Sequence, residues 1–406
     1  MLKKLLFISF LFLLSNCANN PLEKSETKIS SLDESPKKQT ICLNMIVKNE
    51  AHVIRRCLDS VKDLIDYWVI MDTGSKDGTQ DIIKAHMKGI PGELHERPWI
   101  NWGETRTEAL QFAKGKADYI LFMDADDILE YEGKKLPELT EDLYCMWRGD
   151  RNFSYLNPQV AKDNKPWKWI GVTHEYLGCD EPYTQGTLET IKYTTLNDGA
   201  TRSFDPGKYR KNVDLLEEGL KKEPNNIRYA FYLAESYHDS GERAKALQWY
   251  QKRVNMGGWE EEIFWSKLRI AHILKELGLP DSIVIEAYKD ALGFRPHRVE
   301  PYYHLAEIFN HQGNYSKAYA YLKAYEFAAQ PDKKDALFNV DWIKEYGMLF
   351  QLTISAYYVG HYEEALKACD QLLENKNLPE SWRSLAEANR EFPLKKISGI
   401  KPVEGD

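Results

Sequence analysis

The sequence predicts an α/β domain on a mostly parallel sheet, followed by an all-α array of stacked helix pairs. Three observations carry that prediction. Apolar strands alternate with helical spacings from Ile41 onward, carboxylates gather at strand ends, and a helix-pair pattern recurs beyond about Asp205.

The chain has 406 residues, 43% of them hydrophobic, enough for two cores. Its formal charge of -8 is balanced locally by lysines, so no basic track exists and nucleic acid is excluded as a partner. Six cysteines at irregular spacings, with no CxxC, argue against a disulfide framework or a structural zinc site.

At the N-terminus Lys3 and Lys4 precede an apolar run from Leu5 to Leu14 and then Ser15-Asn16-Cys17, a signal-like pattern. The run is about half of the ~20 residues that a spanning helix needs. Residues 1–17 also resemble a bacterial lipobox with Cys17 as the lipidated residue, though such boxes usually carry Gly or Ala where Asn16 stands. Export with lipidation at Cys17 is one reading, and an uncleaved membrane-associating segment or a mis-called start codon is the other; membrane association through this N-terminus, on a side of the membrane left open, is the expectation. Residues 18–40 are polar and read as a disordered linker.

Ile41 to Val47 reads as a buried strand, and Val53, Ile54, Cys57, Leu58, Val61 and Leu64 follow at helical spacing. A second strand is expected at Trp68 to Met71. Gly74, Asp77 and Gly78 break the chain before another helical stretch. A helix through Ala109, Leu110 and Ala113 then leads into a strand at Tyr119 to Met123. Farther on, Leu233, Ala234, Tyr237, Gly241, Ala246 and Tyr250 have the spacing of a tetratricopeptide repeat, and so do Leu305, Ala306, Phe309, Gly313, Ala318 and Leu322. Looser copies follow Gly278 and Gly360, with an insertion around Lys333 to Lys344.

The chemistry concentrates in Asp124-Ala125-Asp126-Asp127, at the carboxyl end of a strand, where α/β sheets bind ligands. Closely spaced carboxylates need a cation or hydrogen-bond donors to offset their charge, and a hard divalent ion on two phosphates is the natural candidate. Turn and cap aspartates are the structural alternative. Asp72 with Thr73-Gly74-Ser75 ends the second strand, and Asn49-Glu50 ends the first, so three strand ends carry polar groups on one sheet edge. Arg106, on the helix before the Asp-rich turn, suits a pyrophosphate, with an exposed structural arginine as the alternative.

The segments Met45-Ile46-Val47-Lys48-Asn49-Glu50, Val69 to Thr79 and Asp124-Ala125-Asp126 together resemble family 2 glycosyltransferases, over roughly Ile41 to Asp127. Members with tetratricopeptide repeats after the catalytic domain are the most similar. The resemblance implies a GT-A domain at 41–205, a repeat domain at 206–392 and a flexible tail at 393–406. It further implies an inverting transfer from a nucleotide-sugar donor, a UDP-sugar, to a peptide, protein or glycan acceptor. In that scheme Glu50 and Asp72 hold the nucleoside, Asn49 belongs to the same nucleotide-sugar site, Arg106 approaches the diphosphate, Asp124 touches the ribose, and Asp126 ligates Mn²⁺ or Mg²⁺. Family members often have two aspartates where this chain has Asp72-Thr73.

Trp167 to Glu175 is a second candidate region, with His174 as a further metal ligand and Glu175 as general base. If this stretch is extended, adjacent residues face opposite ways and at most one enters the pocket. Asp127 is the alternative base. The repeats offer a concave surface for the acceptor. A catalytically silent domain serving as a repeat scaffold is the rival reading. A sugar nucleotidyltransferase would need a glycine-rich basic loop after the first strand, and Lys48-Asn49-Glu50-Ala51 supplies none. An export signal would separate such an enzyme from its donor in a bacterium, whereas retention at the inner face or entry to a secretory lumen would not.

Overall fold

A computed structural model describes residues 38–131, 136–149, 153–196, 198–199, 207–328, 334 and 336–399. The signal-like segment, Cys17 and most of the expected linker lie outside them.

The first strand, β1 (Ile41–Val47), is buried along nearly all its length because helices cover both faces of the sheet. Beside it run β2 (Tyr67–Asp72) and then β3 (Gly92–Glu96), with β4 (Tyr119–Phe122) on the other side, all parallel. Helices α1 (Ile54–Val61), α2 (Thr79–His86) and α3 (Trp102–Ala113) make the crossovers. The order β3-β2-β1-β4 reverses direction between β1 and β4, so a crevice opens at their carboxyl ends. Apolar side chains pack in two layers, one around Leu43, Ile54, Leu58 and Ile70, the other around Val69, Leu110, Ile120 and Trp167.

Beyond β4 the sheet continues with mixed strands in the order β7-β6-β10-β5: β5 (Asp127–Tyr131), β6 (Leu143–Gly149), β7 (Ser154–Lys162) and β10 (Gln185–Thr195). In β7, Pro158 has no N–H for the ladder, and the pairing with β6 shifts register at that point. A small hairpin of β8 (Lys168–Ile170) and β9 (Tyr176–Gly178) lies apart from the main sheet. Between those two strands the chain is not extended, since Gly171 and His174 have positive φ of 121° and 50°. The alternation expected for His174 and Glu175 therefore does not apply.

From Lys208 the chain is helical: α4 (Lys208–Lys222), α5 (Ile227–Asp239), α6 (Arg243–Val254), α7 (Glu260–Glu276), α8 (Asp281–Phe294), α9 (Val299–His311) and α10 (Tyr315–Glu326). The repeat positions Leu233, Ala234, Tyr237, Leu305, Ala306 and Phe309 are all buried in one core, and Gly241 and Gly313 turn with left-handed φ of 85° and 71°. After the insertion, a π-helical turn (Ile343–Gly347) runs into α11 (Met348–Tyr358), followed by α12 (Tyr362–Glu374) and α13 (Glu380–Ile397). The last helix passes through Pro393, so 393–397 are helical where a flexible tail was expected.

Sheet and array are joined. Ser154 pairs with Asn339 as an isolated bridge, and Phe153 packs 5.0 Å from Phe338 and 6.4 Å from Trp265.

Candidate active site

Two interlocked loops close the ends of β1 and β2. Asp72 is fully buried, and its Oδ1 accepts from the Gly74 and Ser75 N–H groups at 2.8 and 2.7 Å. Asn49, in the left-handed region at φ 58°, accepts at Oδ1 from Lys76 N–H and donates its own N–H to Ser75 Oγ, both at 2.8 Å. Asp77 accepts from Ala51 N–H and Thr79 Oγ1. These are turn-fastening contacts. They modify the expected nucleoside roles: Asn49 and Glu50 line the cavity, whereas Asp72 lies behind its wall with Oδ2 buried and unpartnered.

The Asp-rich turn after β4 separates its carboxylates by environment. Asp124 accepts from Arg106 Nη2 at 2.5 Å on one oxygen and from Arg148 Nη2 on the other, while Tyr193 Oη accepts its N–H at 3.0 Å. Asp127 is fully buried and pairs with Arg148 at 2.7 Å. It is absent from the cavity wall, so the structure makes it a counter-ion of Arg148 and removes it as the candidate base. Asp126 does line the cavity, and its Oδ2 accepts from Gly199 N–H at 3.3 Å. A Cβ on Gly199 would lie 2.8 Å from that carboxylate, so the backbone there rests directly on it. Arg56 holds the neighbouring Asp198 at 2.6 Å and donates to the Asp126 carbonyl at 3.1 Å.

Arg106 stands where three elements meet. Asn101 caps α3 by accepting from Glu104 N–H at 2.9 Å and returning a hydrogen bond to the Glu104 carboxylate, which fixes the helix start one turn before the arginine. Its guanidinium reaches Asp124 at 2.5 Å and Glu175 at 2.7 Å and lies 5.3 Å from the Trp169 ring centroid. Burial works against that charge, but Asp124 and Glu175 more than offset it, so the pKa is raised. Arg148 and Tyr193, both from the later strands, complete the group, with the Arg148 guanidinium 4.9 Å from the Tyr193 ring. Neither belongs to a local motif, and nothing in their sequence surroundings marks them.

His174 does not join Asp126. Its ring stacks on Tyr232 of α5 at 4.2 Å and 7°, and among the described residues no three His, Cys, Asp or Glu side chains form a group able to hold a metal. His174 is exposed to the cavity, and desolvation by the protein around it, reinforced by Arg228, pushes its pKa down to about 4. The expected ligand is thus a neutral imidazole on the helical wall.

The cavity that Glu50, Arg106, Asp124, Asp126, Arg148, His174 and Glu175 line measures about 1440 Å³, larger than the ~300–1000 Å³ of an ordinary small-molecule site. Its floor is the β1–β4 crevice with Glu50, Arg106, Asp124 and Asp126, and its far wall is the inner face of α5, α7 and α9, with Tyr232, Trp265, Arg269, His272 and His304.

Residues 42–144 match the model of glycosyl transferase family 2. Over that segment the chain is similar to family 2 glycosyltransferases, and stacked helix pairs with the spacing of tetratricopeptide repeats follow it. The matched segment contains both the first-strand loop and the Asp-rich turn. The SPbeta prophage-derived glycosyltransferase SunS of Bacillus subtilis is 26% identical over 236 residues, 53% of each chain. An uncharacterized glycosyltransferase of Rickettsia bellii is 28% identical over 228 residues, 54% of this chain and 72% of that one. A TPR repeat-containing protein of Synechococcus elongatus is 38% identical over 93 residues, 23% of this chain and 22% of that one. The chain spans about half the length of SunS. Among solved structures, the C-terminal part of a TPR repeat-containing protein from Cytophaga hutchinsonii aligns at TM-score 0.35 and 18% identity, over 46% of this chain and 67% of that one.

Proposed function

We propose that the protein transfers a sugar from a nucleotide-sugar donor to an acceptor lying against the repeats. The observation supporting this most is the meeting, in one cavity, of the switch-point crevice with Asp124, Asp126 and Arg106, and of the inner face of the helical array. The volume suits a donor and a segment of a second macromolecule together. In this reading the acceptor is a peptide, since α5, α7 and α9 present a row of aromatic and charged side chains rather than a closed pocket.

The donor's diphosphate lies by Arg106, and its base and ribose lie between the β1 and β2 loops and Asp124. Asp126 fits a divalent cation: it is a cavity-facing carboxylate, and Mg²⁺ or Mn²⁺ takes one or two carboxylates plus phosphate oxygens rather than a full protein cage. When bound, the cation supplies Lewis-acid neutralisation of the departing diphosphate. His174 is not needed for that shell. Arriving phosphate competes with Asp124 and Glu175 for Arg106 as a third anion, which releases Glu175 toward the acceptor. The acceptor hydroxyl or thiol then gives its proton to Glu175 as its oxygen or sulfur bonds to the anomeric carbon. The bond to the diphosphate breaks on the opposite face, and the nucleoside diphosphate leaves with the electron pair. Configuration at the anomeric carbon inverts.

Membrane association through residues 1–17 belongs to the same proposal. Among the described residues no helix is long and apolar enough to cross a membrane.

The test is turnover of UDP-sugars by wild type and Asp126→Ala, with and without Mn²⁺. Metal-dependent release of UDP by wild type and its loss in the variant are expected. Absent turnover by wild type would favour a silent scaffold, and metal-independent turnover would overturn the role of Asp126.

A further inference from the structure

The loop bearing Glu175 is held from the helical array. Gly171 and His174 both occupy left-handed backbone, at φ 121° and 50°. A non-glycine residue stays there only where its surroundings over-determine it. One side of the loop is packed against α3: Trp102 N–H donates to the Val172 carbonyl at 3.2 Å, and a Cβ on Gly103 would come 2.2 Å from the Gly171 oxygen. The other side is gripped by Arg228, near the start of α5. Its Nε and Nη2 both donate to the His174 carbonyl, at 3.0 and 2.8 Å. The guanidinium itself is placed by two rings, 4.7 Å from Tyr232 and 5.0 Å from Tyr176. Tyr232 also stacks on the His174 imidazole. The next residue is Glu175, which reaches Arg106, which in turn reaches Asp124.

We infer that Arg228 is a positioning residue for the transfer step: by holding the strained His174 carbonyl with two donors, it keeps Glu175 aimed at Arg106 and the cavity. This rests on the glycosyltransferase reading above. It extends that reading by making the first repeat part of the catalytic geometry as well as an acceptor surface. A lysine at this position keeps the charge but not the planar pair of donors, so the two substitutions separate charge from geometry.

Arg228→Lys and Arg228→Ala are compared with wild type by steady-state kinetics and by amide hydrogen exchange over residues 171–176. Both variants are expected to lose about 10- to 100-fold in kcat with little change in donor KM, because misplacement of a reacting group by an ångström costs that much. Exchange in the loop is expected to quicken in both. Added guanidinium should restore part of the kcat of Arg228→Ala and none of that of Arg228→Lys. If Arg228→Ala folds poorly, the same readings on Arg228→Lys decide the matter. An unchanged kcat, or unchanged loop exchange in Arg228→Lys, would overturn the inference. Should wild type itself transfer nothing, the glycosyltransferase reading fails, and the exchange data still test the grip of Arg228 on the loop.

Discussion

Replacing Arg148 with methionine should cost the catalytic domain much of its stability. The Arg148 side chain is 11% exposed and serves two carboxylates, Asp124 at 16% and Asp127 at 0% exposure. Asp124 keeps Arg106 at 2.5 Å when Arg148 is gone, so its loss is partial. Asp127 loses the guanidinium that stands 2.7 Å from it in a site without solvent. Removing one partner of a buried ion pair typically costs about 3–5 kcal/mol, because the remaining charge stays buried. The contact between guanidinium and Tyr193 adds about 0.5–2 kcal/mol. Methionine fills most of the vacated volume, so a cavity term is small. Urea unfolding followed by tryptophan fluorescence should therefore show a loss of at least about 3 kcal/mol, a large share of the ~5–15 kcal/mol that a domain has. Adding Asp127→Asn, which removes the buried charge and keeps its shape, should recover roughly half of it. A loss below about 0.5 kcal/mol for Arg148→Met, the size of an ordinary surface substitution, would refute the assignment of Asp127 as a structural counter-ion.

Two further outcomes follow from the cavity walls. Gly103→Ala places a methyl group 2.2 Å from one backbone oxygen and 3.2 Å from another, neither of which can swing away as a side chain can. A loss on the order of 1–3 kcal/mol in urea unfolding is expected, with weaker UDP binding by calorimetry because α3 carries Arg106. Wild-type stability together with wild-type affinity would contradict the packing of this loop on α3. His174 is held neutral down to about pH 4 against an ordinary value of 6.5. Between those values the unfolded chain binds a proton that the folded chain refuses, so stability falls as pH falls through the window and levels off below it. His174→Phe keeps an aromatic ring on Tyr232 without the titrating nitrogens, and its urea midpoint should drop less than wild type's from pH 7 to pH 5. Equal drops would show that His174 titrates near its ordinary pKa.

What could be read from the sequence, and what could not, divides by the range of the interactions. The strand Ile41–Val47, the Asp-rich turn and the repeat positions are set by local periodicity, and they lie where that periodicity placed them. The strands from β5 onward were invisible because their ladder is irregular, with Pro158 inside β7 and a register shift between Thr187 and Lys192 in β10. Three neighbouring aspartates look alike in sequence. Only the arrival of Arg148 and Gly199, 21 and 73 positions from Asp127 and Asp126, gives one of them to the core and another to the cavity. The same holds for His174 and Glu175. Their directions depend on two left-handed residues, and the grip on that backbone comes from Arg228, 54 positions later and in what composition alone marks as a separate domain. A motif locates the strand-end side of the cavity because backbone loops at strand ends are local structures. The far wall of the cavity is assembled where the array meets the sheet, so its residues are legible only after the helices have been placed.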